Sequence, residues 1–132
     1  MGVEWLDSYK TGDVLLDATQ KKLFELTNEF LASDDLTVLR PVIVSLCKQA
    51  RAHFELEEAL MRRINYPDIE AHTAQHQHLL DRLISRSMDV GKGHMNKPAI
   101  AALMQDWAMH HVPEEDARLT QFLASSKTAG AV

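Results

Sequence analysis

Four histidines and two carboxylates carry the chemistry that can be read from this sequence. His53 and Glu57 stand four residues apart, His72 and His76 likewise, and His111 and Asp116 stand five apart. Residues four apart share a helix face. His53 and Glu57 interrupt an apolar stripe through Ile43, Leu46, Cys47, Ala50, Phe54, Leu60, Met61 and Ile64. His72 and His76 interrupt a second stripe, through Ile69, Leu79, Leu80, Leu83 and Val90. Imidazoles and carboxylates facing a core are costly unless each has a partner. Taken singly, His53 with Glu57 also reads as a buried hydrogen-bonded pair, whereas His72 with His76 reads more as a metal pair than not. All six facing one core would each need a separate partner, and a metal ion satisfies both ligand types at once.

The donor set narrows the metal. Four imidazoles and two carboxylates exceed what one zinc needs. Calcium and magnesium prefer oxygen, so four ring nitrogens argue against them. A mixed set suits iron or manganese, and carboxylates can bridge two ions. The economical reading is a dinuclear centre bridged by Glu57 and Asp116.

Helices must position these groups. A first helix is expected from about Asp17, read as its N-cap, to Ala32, with Leu16, Leu23, Phe24, Leu26, Phe30 and Leu31 inward. Gln20 falls on that face and needs partners there. The second helix starts at Leu36 or Pro41 and ends at Ile64, before an Asn65-Tyr66-Pro67 turn. The third runs from Asp68 to Val90, and Gly91 to His94 connects it to a fourth, Lys97 to Ala124. In that last helix Ile100, Leu103, Met104, Trp107 and His111 keep one phase. The next inward residues, Asp116, Leu119 and Leu123, come one position late, and Pro113 sits at the slip. Five residues of straight α-helix would separate His111 from Asp116 by about 140°. A kink or π-type bulge at Pro113 is therefore expected. The fold class is all-α: one domain, an up-down-up-down four-helix bundle with an N-terminal arm (1–14) and a frayed tail (126–132).

Composition excludes other classes. A net charge of -5 without a basic stripe argues against nucleic-acid binding. The single cysteine, Cys47, cannot form an internal disulfide and reads as a packing residue, in keeping with a reducing compartment. No apolar run can span a bilayer and no signal pattern opens the chain, so a cytoplasmic protein is expected; it is expected to be a monomer. His78, His94, His110, Glu58, Glu114 and Glu115 read as solvated or rim residues. Neither a Ser-His-Asp nor a Cys-His nucleophile is legible, nor a glycine-rich phosphate loop.

The motifs His-Phe-x-x-Glu-Glu-x-x-Met at 53–61, His-x-x-x-His at 72–76 and Trp-x-x-x-His-x-x-x-x-Asp at 107–116 together resemble the bacterial hemerythrins. The opening Trp5, Thr11-Gly12, Leu16-Asp17 and Lys22-Leu23-Phe24 resembles that family's start, so the likeness covers nearly the whole chain. The resemblance implies two non-haem iron ions with an oxo or hydroxo bridge, binding O2 for storage, delivery or sensing. It implies that His72, His76 and His111 hold one iron, that His53 holds the O2-facing one, and that Glu57 and Asp116 bridge them. Two positions depart from the family pattern. The first-helix Asp-x-x-His is here Asp17-Ala18-Thr19-Gln20, so Gln20 is a weak ligand, a neighbour of one, or beside an open position. The leucine that often follows the motif's tryptophan and lines the O2 pocket is here Ala108, beside Trp107. Both departures favour a second function, a di-iron oxidoreductase acting on peroxide or nitric oxide at the open position next to Gln20. A third reading leaves one iron or zinc on His72, His76 and His111.

Overall fold

The computed structural model describes the backbone of residues 2–130 and the side chains of residues 2–125. Four helical rods form the bundle. α1 spans Val14–Leu31, α2 Leu36–Arg63 and α3 Ile69–Gly91. The fourth rod is composite: α4 over Lys97–Asp106, a π-helical segment over Trp107–Asp116 and α5 over Ala117–Gly130. α1 packs on α2, α2 on α3, α3 on α4 and α4 back on α1, which closes the ring. The connections are short, as an up-down-up-down course requires. Among the described residues none is in a strand, and no helix is long and apolar enough to cross a membrane.

Capping sets the helix starts. Asp13, not Asp17, caps α1, its side chain accepting from the Leu16 N–H. Asp17 lies one turn inside the helix. Its carboxylate reaches back to the Thr11 N–H and hydroxyl, both at 2.8 Å, and to the Gly12 N–H at 3.2 Å. A carboxylate in the first turn also faces the positive end of the helix dipole. Asp35 caps α2 through the Thr37 N–H, so the helix begins at Leu36 and Pro41 lies inside it. The carbonyl that Pro41 leaves unpaired is that of Thr37, an exposed residue that water can serve. Asn96 caps α4. The last helix continues past the expected end at Ala124, through Gly130; Ala131 and Val132, part of the expected tail, lie outside the described residues.

The core follows the stripes. Leu23, Phe30, Leu39, Ile43, Leu46, Leu83, Ile100 and Met104 are all at most 1% exposed. Each buried side chain of this size contributes about 1.5–3 kcal/mol. The arm is tied to α1: the Val3 N–H donates to Asn28 Oδ1 at 2.7 Å, and Asn28 Nδ2 returns a bond to the Val3 carbonyl at 2.8 Å. Val3 is buried and Trp5 half-buried, while Leu6 stays 43% exposed.

Candidate metal centre

The π segment decides the geometry of the fourth rod. Hydrogen bonds from i to i+5 bring residues five apart back onto one face. His111 Nε2 thereby lies 3.1 Å from Asp116 Oδ1. Asp116, Leu119 and Leu123 are buried, and Arg118 points outward, as the one-residue slip in the sequence pattern requires.

Glu57, His72, His76, His111 and Asp116 offer one ligand atom each, all within 4.8 Å of one another. His72 Nε2 is 2.5 Å from Glu57 Oε1 and 3.0 Å from Asp116 Oδ1; His76 Nε2 is 3.1 Å from Glu57 Oε1. His53 stands outside this group of five but adjoins it, with Nε2 3.4 Å from Glu57 Oε2. Glu57 thus faces imidazoles from two helices, as a bridging carboxylate must. All are buried except His111, whose side chain is 11% exposed.

Outer acceptors set the tautomers. The Thr19 hydroxyl donates to the Leu16 carbonyl and therefore accepts from His53 Nδ1, at 2.8 Å. Glu58 Oε2 accepts from His76 Nδ1 at 3.0 Å, and Gln75 Oε1 from His111 Nδ1 at 3.0 Å. With Nδ1 protonated, each ring aims a lone pair at the centre through Nε2, the arrangement that orients metal-bound histidines. Phe54 stacks on His76 at 4.1 Å and 7° and fixes that ring's plane. Glu58 is accordingly not a solvated residue: its side chain is 22% exposed and turned onto His76, because α2 faces α3 there. The pattern of inward apolar residues does not reveal Thr19, Glu58 or Gln75. The only signal is adjacency, Glu58 to Glu57, Thr19 to Gln20 and Gln75 to His76.

The residues fit a cation. His53 Nε2, His76 Nε2, His111 Nε2 and both Asp116 oxygens are buried without a hydrogen bond, although oppositely charged atoms lie in ion-pair range. Each such atom costs about 1–3 kcal/mol. Donors about 2.1 Å from a shared ion, at right angles to one another, lie about 3 Å apart, the spacing found here. Protons compete for the same lone pairs. Burial opposes charge on Glu57, but His53, His72 and His76 hold its carboxyl well below the usual carboxylate range. Burial likewise opposes charge on His72, but Asp116 and Glu57 push it up to about 10. His76 is raised too, Glu57 and Glu58 outweighing its burial.

A sequence model described as the hemerythrin HHE cation binding domain matches residues 11–123. The chain belongs to the hemerythrin family. Among its hemerythrin relatives, the bacteriohemerythrin of Campylobacter jejuni is 28% identical over 116 residues, covering 82% of this chain and 85% of the relative. That of Clostridium acetobutylicum is 26% identical over 124 residues, covering 85% and 94%. A crystal structure of a leucine-to-alanine mutant of hemerythrin superposes with a TM-score of 0.80 at 22% identity, covering 93% of this chain and 98% of that one, and shares the fold.

Within this hemerythrin fold, Gln20 is 2% exposed and its carbonyl oxygen accepts from the Trp5 indole at 3.0 Å. Trp107 is 2% exposed, 6.2 Å from His53 ring to ring, and lines a cleft of about 270 Å³ that also touches Phe54, His76, His111 and Glu115. Ala108 is buried in the apolar core and is not among that cleft's lining residues. His78, His94 and His110 are exposed.

Proposed function

We propose that the chain holds two iron ions in the bundle core and binds O2 there. The observation that carries this reading is the convergence of Glu57, His72, His76, His111 and Asp116 within 4.8 Å, with His53 across Glu57. His72, His76 and His111 would hold one ion, His53 the other, and Glu57 and Asp116 would bridge them. A reduced iron pair supplies the electrons that a small oxidant takes up. The chain's own contributions are positional. Thr19, Glu58 and Gln75 keep Nδ1 protonated and Nε2 free to ligate. Phe54 and Trp107 wall the centre with apolar surface and limit water, which strengthens every charge interaction inside.

One observation favours a second reading, a di-iron oxidoreductase acting on peroxide or nitric oxide. The Gln20 oxygen is bonded to Trp5, so the ion beside His53 has fewer protein donors and more room for an exogenous ligand. Titrating the reduced, iron-loaded protein with O2 separates the two. A long-lived visible charge-transfer band supports O2 binding. Rapid conversion to the ferric form with turnover of peroxide or nitric oxide supports the second. Fewer than two irons per chain overturns both.

A further inference from the structure

Gln20 stands on the inward face of α1, four residues after Leu16 and three and four before Leu23 and Phe24, all buried. An indole N–H can only donate. The Gln20 atom 3.0 Å from Trp5 Nε1 is therefore the amide oxygen, which removes the usual oxygen–nitrogen ambiguity of an amide. With its oxygen engaged, the amide has an NH2 group left, which can donate and has no lone pair for a cation. At 2% exposure that group lies inside the protein. Its chain neighbour Thr19 holds His53 Nδ1 at 2.8 Å, so this turn of α1, whose inward face carries Gln20, packs against the His53 end of the centre.

Trp5 is held firmly enough to impose this orientation. Its ring meets Tyr9 edge-to-face at 6.5 Å, and the Lys21 and Lys10 ammonium groups lie 5.3 and 5.8 Å from the ring centroid. The arm is tied to α1 on both sides of it, through Val3 with Asn28 and through Thr11 with Asp17.

We infer that Gln20 is a hydrogen-bond donor to exogenous ligands at the His53 end, that Trp5 is its positioning residue, and that the site so equipped favours small anions with acceptor atoms over neutral ligands. This inference rests on the di-iron reading. A donor fixed in a dry site bonds a charged acceptor about twice as strongly as a neutral one. The α1 position thereby supplies a contact to the ligand where a donor to the metal would otherwise stand.

Azide serves as the probe. The iron-loaded, oxidised wild type, Gln20→Leu and Trp5→Phe are titrated with azide by visible absorption, and iron is counted in each. Gln20→Leu is expected to bind azide roughly 10–100-fold more weakly, the loss of one hydrogen bond to a charged group. Trp5→Phe keeps an aromatic ring and frees the amide, and is expected to weaken binding several-fold. Both variants are expected to keep two irons, with a melting temperature lowered by the lost Trp5–Gln20 bond. Equal azide affinities at two irons per chain overturn this inference and leave the di-iron reading standing. Loss of iron from Gln20→Leu also overturns it, since the amide would then be a ligand. Fewer than two irons in the wild type overturns both readings. A readout independent of iron is hydrogen exchange of the Trp5 indole N–H in chelator-treated protein, expected to be slow in the wild type and fast in Gln20→Leu. Exchange at the free-indole rate in the wild type sinks the proposal.

Discussion

Glu58→Ala should weaken metal binding without touching a ligand. Glu58 Oε2 accepts from His76 Nδ1 at 3.0 Å, while the opposite nitrogen of that ring lies 3.1 Å from Glu57 Oε1. Phe54, stacked at 4.1 Å, keeps the ring from swinging, so the substitution acts on electronics and tautomer more than on position. Without the carboxylate, Nε2 is less basic, and the ring can place its proton on Nε2, which then cannot ligate. A hydrogen bond to a charged group contributes about 1.5–3 kcal/mol. Glu58 is 22% exposed, and water screens part of that. A loss of about 1.4–2 kcal/mol, or roughly ten- to thirty-fold in affinity for the ion on His72, His76 and His111, is the expected result. Competition against a calibrated chelator measures it. Glu58→Gln, which retains an oxygen acceptor, should recover part of the loss. Equal affinities for wild type and Glu58→Ala, or no recovery in Glu58→Gln, would refute the reasoning.

The other predictions distinguish the two proposed ions and the scaffold. Thr19→Val removes the acceptor on His53 Nδ1, so limited chelation should strip this variant to one iron per chain; retention of both under conditions that spare the wild type goes against it. In chelator-treated protein His72, raised from 6.5 to about 10, contributes stability that is complete below pH 6.5 and lost as pH rises through about 10. Glu57, shifted down, contributes stability present above 4.5 and lost as pH falls through its lower folded value. Melting temperatures of chelator-treated protein should therefore decline from pH 6.5 to 10, and a flat profile contradicts this. Iron loading displaces those protons, so iron affinity should rise with pH across the same range. Pro113→Ala restores an N–H that can bond within an α-helix, relaxes the π segment, and should weaken iron binding with helix content retained by circular dichroism. Unchanged iron affinity would show that the proline is not what maintains the π turn.

The sequence by itself determined the helical rods, the inward residues and the need for a bulge, because burial along a helix is a local, periodic property. Glu57 and the four histidines were legible as polar breaks in apolar stripes, and Asp116 through the one-residue slip at Pro113. The helix start was misread, Asp17 for Asp13, because both are good caps and only the backbone shows which one accepts from the helix. Tertiary structure alone decided the partners around the site. Thr19 reaches His53 across 34 residues, Glu58 reaches His76 across 18, and Gln75 reaches His111 across 36. Trp5 turns the Gln20 amide across 15 residues. Such bonds depend on how rods and arm pack against one another, and no periodicity along a single helix encodes which side chains meet.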